Sequence, residues 1–181
     1  PPILVVDNAS TDGTTAWLLA AQHQQLRVFG MSHSTTVSVA EAWNRALDWV
    51  WRYYDRWGHT DRDGALVVNN DTELLPATYR VLSEYKADDP TIGMVTCVSR
   101  SPEDMKEVSD LRFCNVRDYN WNERPHPDFS CFLLRRHAWE KVGKFDEGFE
   151  GAYYEDNDYH VRMHRAGLKA VCIDLPFLHH A

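Results

Sequence analysis

The chain has 181 residues, 44% hydrophobic and 25% charged, with 19 basic against 27 acidic side chains and a formal net charge of −8. That length suits a single domain whose core buries about 70% of the unfolded surface, so stability requires neither disulfides nor a structural metal. The acidic balance argues against a nonspecific nucleic-acid binder, which needs a cationic face to displace phosphate counterions.

Ile3 to Val6 is an apolar run ending in Asp7, the pattern of a strand buried on both faces. Asn8 to Thr14 is turn chemistry, and a helix is expected from about Thr14 to Gln24, then a strand from Leu26 to Phe29. Ser38 with Glu41 forms a capping box. The helix it opens places Val39, Ala42, Trp43, Ala46, Leu47, Val50 and Tyr54 on one face. Asp61 to Gly64 reads as a polar turn and Ala65 to Val68 as a buried strand, ending in Asn69-Asn70-Asp71. Pro76 suits the first turn of a helix to about Lys86, and Ile92 to Val98 is strand-like. The stretch from Ser99 to Pro127 reads as an irregular loop with a short strand near Leu111 to Val116. Phe129 to Leu134 is a strand and Arg136 to Val142 a helix stopped by Gly143. Glu155 to Ala166 is a helix closed by Gly167, and Lys169 to Ile173 a last short strand. This alternation predicts an α/β domain with a mostly parallel sheet and helices on both faces.

No apolar run approaches the roughly 18 residues of a spanning helix and no signal peptide opens the chain, so a cytoplasmic protein without a transmembrane segment is expected. Cys97, Cys114, Cys131 and Cys172 show no CxxC spacing, and buried free thiols are the reading. There is no GxGxxG and no GxxxxGK[ST], so a nucleotide here has to be held through side chains or a metal.

Open α/β sheets bind ligands beyond the carboxyl ends of their strands. Asp7 and Asp12 stand there, either as acceptors for a base N–H and ribose hydroxyls or as ordinary turn and helix-start residues. Asp71 is placed to give an oxygen to a hard cation, against the plainer reading of a strand-end turn. The rival pair Asp61 and Asp63 precedes its strand and belongs at the opposite sheet edge. Asp156, with Glu155 and Asp158, is either a general base or one of several acids favoured by the helix dipole. His160 and His164 have zinc-like spacing, but Val161 stands where a zinc protease has its glutamate, which favours solvated histidines. His179 and His180 complete a cation site or form a loose chain end.

Taken in order, these segments resemble the family 2 glycosyltransferases of GT-A fold. The resemblance is carried by Val5-Val6-Asp7-Asn8-Ala9-Ser10-Thr11-Asp12-Gly13-Thr14 and by Asn69-Asn70-Asp71-Thr72-Glu73-Leu74, which looks like the DXD region. Gly143-Lys144-Phe145-Asp146-Glu147, followed by Tyr154-Glu155-Asp156-Asn157-Asp158, looks like the acceptor-side loop and ED motif, and Arg165-Ala166-Gly167 and His179-His180 continue it. The resemblance implies one glycosyltransferase domain over 1–181, with a nucleotide-sugar half at 1–98 and an acceptor and catalytic half at 99–181. It implies transfer from a nucleotide-diphosphate sugar, UDP-sugar favoured, to a hydroxyl acceptor, with Mn²⁺ or Mg²⁺. Asp7, Asn8, Asp12, Asn69 and Asn70 then contact the nucleotide, and Asp71 with His179 or His180 ligates the metal. Asp156 acts as base with inversion, Glu155 orients it or the acceptor, and Trp121 and its neighbours stack on a sugar.

Three features depart from the family pattern. The strand and helix that usually precede Asp7 are missing, which implies an open nucleotide pocket or a gap filled by a partner chain. Asn69 replaces the first Asp of DXD. The chain ends just after His180, implying an acceptor site that is minimal or completed by another protein. A nucleotidyltransferase is disfavoured for want of a basic phosphate loop, and a donor-binding scaffold without transfer is the alternative.

Overall fold

The computed structural model describes residues 2–24, 28–58, 64–107, 122–124, 126–149 and 153–180. Residues 61–63, the strand expected near 111–116, Cys114 and Trp121 lie outside them. The chain packs into two compact units, Pro1–Thr60 with Lys144–Asp158, and Asp61–Gly143 with Tyr159–Ala181.

In the first unit, β1 (Ile3–Asp7) pairs in parallel with β2 (Val28–Ser32), Ile3 opposite Val28 and Asp7 opposite Ser32. A parallel pair needs a crossover, and α1 (Thr14–Gln24) supplies it. β1 is not buried on both faces as its sequence suggests: Ile3 is 55% exposed and Leu4 to Val6 are half-buried. The reason is that β2 is its one hydrogen-bonded neighbour among the described strands.

α2 (Val39–Trp57) begins as its sequence dictates, with Ser38 Oγ accepting the Glu41 amide at 3.2 Å. The Glu41 carboxylate is ion-paired with Arg45, four residues on. Gly58 ends the helix in the left-handed region at φ 66°. The buried stripe is Ala40, Asn44, Leu47, Trp51 and Tyr54, rotated from the predicted face and sharing only Leu47 and Tyr54 with it. Asn44 explains the rotation. Its Oδ1 accepts the Phe145 amide at 2.9 Å, and its Nδ2 donates to Phe145 O at 2.9 Å and Glu147 Oε1 at 2.8 Å. A satisfied polar side chain belongs in a core, yet hydrophobic periodicity passes over it. On a second flank of α2, the ring of Phe29 on β2 lies 4.9 Å from Trp49 and 5.4 Å from Tyr53.

The second unit is built on a sheet in the order β3-β7-β5-β8-β4, with β6 also on β8. The strands are β3 (Gly64–Val68), β4 (Thr72–Glu73), β5 (Ile92–Ser99), β6 (Glu123–Arg124), β7 (Cys131–Arg135) and β8 (Lys169–His179). Only β5 and β8 run parallel here; the other pairings are antiparallel. The fold is α/β, but its strand pairing is mixed rather than mostly parallel. β7 contributes most to this, pairing antiparallel with both β3 and β5, and it is entered from a turn where Ser130 N donates to Asp128 Oδ1 at 2.9 Å.

The core of this unit includes Val81, Leu82, Val95, Leu133, Ile173 and Phe177, none accessible to solvent. α3 (Thr78–Glu84) and α5 (Arg136–Val142) follow the sequence reading, and α4 (Pro102–Glu107) appears where a loop was expected. α6 (Glu155–Arg165) ends at Gly167, whose φ is 74° and whose amide reaches His164 O at 2.9 Å. β8 runs six residues beyond Ile173, the end expected from sequence, to His179. Asp174 and Pro176 look like strand breakers, but Pro176 sits opposite Val98, beyond a register shift between Thr96 and Val98. An irregularity of this kind tolerates a residue with no N–H.

Cys97, Cys131 and Cys172 are buried free thiols, as expected, with Cys97 Sγ 3.7 Å from Cys131 Sγ. Burial pushes the Cys97 and Cys172 thiols up. Among the described residues no helix is long and apolar enough to cross a membrane.

Candidate functional site

Asp7 closes β1 at the carboxyl end of a parallel pair and is 2% exposed. Its Oδ1 accepts the Ser10 amide at 3.0 Å and its Oδ2 the Thr15 hydroxyl at 2.5 Å. The Ser10 hydroxyl, then Thr15 and the Ser10 amide, hold its carboxyl below the usual carboxylate value. Asn8 clamps a neighbouring loop: Nδ2 donates to Val37 O and Oδ1 accepts Val37 N, both at 2.9 Å. Asp12 accepts the Thr14 hydroxyl at 2.6 Å and its amide at 3.1 Å, the hydroxyl first in lowering its carboxyl, and it remains exposed. The turn is thus a rigid object, built by the side chains that its sequence marks as ligand contacts. Ala9 at φ 61° and Gly13 at φ 92° supply its left-handed corners.

Asp71 and His179 meet in the second unit. Asn69 N bonds Ser130 O at 2.9 Å, and Thr72 Oγ1 returns to Asn69 O at 2.9 Å, which fixes the Asn69-Asn70-Asp71 turn. β4 then pairs Thr72 with His179, and the His180 amide reaches Asp71 O at 2.8 Å. This register sets His179 Nε2 3.3 Å from Asp71 Oδ2. Asp71 Oδ1 is shielded and has no donor among the described residues. His180 turns elsewhere, its Nε2 lying 2.8 Å from Glu73 Oε1. His179 is therefore a strand residue and His180, just past the strand, is held by Asp71 O and Glu73, so neither forms a loose chain end.

Glu155 and Asp156 open α6, with acids in its first turn and Arg162, His164 and Arg165 in its last, a distribution that complements the helix dipole. Glu155 is 5% exposed and its Oε2 finds no donor among the described residues. Asp156 Oδ1 accepts the Asn157 amide at 2.7 Å. The side chain lines an open depression with Tyr153, Tyr154 and Asn157. The preceding Gly143-Lys144-Phe145-Asp146-Glu147 loop is pinned to α2 by the Asn44 bonds and by Lys144 Nζ, 2.5 Å from Asp48 Oδ2.

Asp7, Asn8, Asp12, Glu155 and Asp156 belong to the first unit, and Asn69, Asn70, Asp71, His179 and His180 to the second. Sequence reasoning missed Glu73 as the partner of His180, and His33, which is 9% exposed with Nδ1 3.3 Å from Asn8 Oδ1. Only the β4–β8 register and the Asn8 clamp reveal them, and no local pattern encodes either. His160 and His164 join no metal-holding group: no set of three His, Cys, Asp or Glu residues disposed for a metal occurs among the described residues.

The sequence matches no protein-family model and no curated protein. Among solved structures, the chain is similar to a mannosyltransferase from Pyrobaculum calidifontis, captured with GDP-mannose and Mn²⁺, at 25% identity and a TM-score of 0.66. That likeness covers 98% of this chain and 47% of the mannosyltransferase, so the chain spans about half of that protein. A glycosyltransferase involved in glycosylating the major capsid of PBCV-1 aligns over 100% of this chain and 95% of its own, at 11% identity and a TM-score of 0.45. Strand–turn–helix organisation, site motifs in order and likeness to the mannosyltransferase converge: this chain has a GT-A-like glycosyltransferase fold.

Proposed function

We propose that this protein transfers a glycosyl group from a nucleotide-diphosphate sugar to a hydroxyl acceptor, with the help of a divalent cation. The observation that carries the reading is the Asp71–His179 pair, 3.3 Å apart, with Asp71 Oδ1 left without a donor. A hard cation that arrives with a diphosphate needs only one or two protein ligands, the phosphates and water providing the rest. Asp71 and His179 fit that demand, and the β4–β8 register favours His179 over His180. When bound, the ion offsets the charge that builds on the leaving diphosphate.

The turn from Asp7 to Thr14 receives the nucleoside. Asp12 presents an exposed carboxylate, and the buried Asp7, bonded to Ser10 and Thr15, braces the turn that carries it. Asn8 keeps the turn and the Val37 backbone in fixed relation. Asn69 and Asn70 line the approach to Asp71. Asp156 is the base. The acceptor oxygen forms a bond to the anomeric carbon while the bond from that carbon to the phosphate oxygen breaks. The electron pair leaves on the diphosphate and the acceptor proton passes to the Asp156 carboxylate. In-line attack inverts the anomeric centre, and Glu155 holds Asp156 or the acceptor in place. β1 has an unpaired edge among the described strands, which suits a strand from a partner chain.

The base is the open choice: the sequence resemblance favours uridine, whereas the mannosyltransferase relative holds GDP-mannose. Calorimetric titration with UDP, GDP, ADP and CDP, with and without Mn²⁺, decides it. One base is expected to bind at least about tenfold tighter with Mn²⁺, and Asp71→Ala to abolish that gain. Asp156→Ala keeps nucleotide affinity while turnover falls by about 10²- to 10⁴-fold. No nucleotide binding in the presence of Mn²⁺ refutes the reading. Metal-dependent binding without turnover selects the scaffold alternative.

A further inference from the structure

Tyr153 and Tyr154 are the most exposed large hydrophobic side chains among the described residues, at 79% and 68%. Both also hold positive φ, 92° and 76°, a conformation that side chains with a β-carbon rarely adopt and that is costly twice in succession. Ordinary packing explains neither feature, because the rings are left in solvent. Together with Asp156 and Asn157 they line one depression. Beside it the buried Glu155 keeps Oε2 without a donor among the described residues.

We infer that Tyr153 and Tyr154 form the platform for the acceptor, and that the acceptor is an uncharged saccharide. This rests on the transferase reading of Asp156. A pyranose has an apolar C–H face and a rim of hydroxyls. The negative face of an aromatic ring suits the first, and a carboxylate and a carboxamide suit the second. Among the described residues, the charged side chain that lines the depression is the Asp156 carboxylate, which repels a phosphate or carboxylate on the acceptor. The twisted Tyr153-Tyr154 backbone sets both rings immediately before the base in sequence. The platform therefore selects the acceptor by its ring face, while Asp156 takes the hydroxyl proton.

Saturation-transfer NMR on the whole chain tests this without turnover. The probes are methyl glycosides of glucose, galactose, mannose and N-acetylglucosamine, with dodecyl phosphate as the charged comparison. At least one glycoside is expected to receive saturation on one ring face. Tyr153→Gly combined with Tyr154→Gly should weaken it at least about tenfold, while Tyr154→Trp retains binding. Glycine relieves the positive φ, so unchanged thermal stability and nucleotide affinity in the double variant exclude unfolding as the cause. A protein that binds nucleotide but no glycoside overturns the inference alone, as does a double variant with undiminished glycoside binding or a preference for dodecyl phosphate. Tyrosine-dependent glycoside binding without nucleotide binding upholds the saccharide site and refutes the transferase reading instead.

Discussion

Asn44 shows how one side chain can organise a loop that is distant in sequence. It occupies a fully buried position on α2, where an aliphatic residue would satisfy the helix pattern, and it serves both backbone groups of Phe145. Replacing it by leucine keeps approximate volume and strands a buried N–H and C=O. Such groups cost about 1–3 kcal/mol each, so Asn44→Leu should lose about 2–6 kcal/mol in urea unfolding at neutral pH. A loss below about 0.5 kcal/mol, the usual range of a surface change, would show that the Phe145 backbone finds other partners. Asp7 and Asn8 belong to the same class of residue. The sequence marks them as candidate nucleotide contacts, and their bonds to Ser10, Thr15 and Val37 show that they build the turn.

At the scale of elements, the close packing of β5 depends on one absent side chain. A β-carbon at Gly93 would lie 2.8 Å from both Ala138 Cβ on α5 and Met163 Cε on α6, and 3.3 Å from Leu168 Cδ1. Met163 can swing aside; the Ala138 β-carbon is fixed to its helix and cannot. Gly93→Ala should therefore destabilise by about 1–3 kcal/mol, read from the midpoint of denaturant unfolding. An unchanged midpoint would mean that α5 shifts freely on the sheet. Elements with strong local signals were legible in the sequence: α1 from its turn, α5 from its Gly143 stop, and the start of α2 from Ser38. The far half of β8 was not, because Asp174 and Pro176 are read locally as breakers, while the shift that accommodates Pro176 exists only in the pairing with β5, where Cys172 to Pro176 of β8 span Thr96 to Val98. Strand direction was equally hidden, since hydrophobic pattern carries no polarity.

For the molecule as a whole, the titrating groups predict loss of stability in acid in two stages. Burial, then His164 and His126, hold His160 below its ordinary 6.5, so the folded state resists its protonation. A depressed folded value means that the unfolded chain binds more protons as pH falls through that range, and stability drops. Lys86, then Tyr85, lowers Glu123, and Arg100, followed by Arg124, lowers Asp174, each opposed by burial; Asp7, Asp12 and Asp89 are lowered by hydroxyl bonds. Their contribution is intact above the ordinary carboxylate values of 3.8 and 4.5 and disappears as pH falls through the depressed ones. Unfolding free energy measured from pH 8 to 3 should thus weaken first just below 6.5 and again below about 4. His160→Gln should remove only the upper stage; its persistence in that variant would assign it to another group. The candidate site was legible where its chemistry is local, in the Asp7–Thr14 turn and the Glu155-Asp156 pair. Its long-range join was not, because the sequence offered two adjacent histidines and no means of choosing between them.

That choice is made by strand indexing. Thr72 faces His179 across the β4–β8 ladder, so the ring beside Asp71 is whichever residue the count along β8 delivers there. A strand alternates faces at every step, and a slip of one residue turns each side chain to the opposite side. The irregularity opposite Thr96 to Val98 lies upstream in that same count. It works like an offset in a gear train: smoothing it by one residue would bring Leu178 or His180 to the place of His179, with every ligand-type residue still present in the chain and none of them correctly engaged.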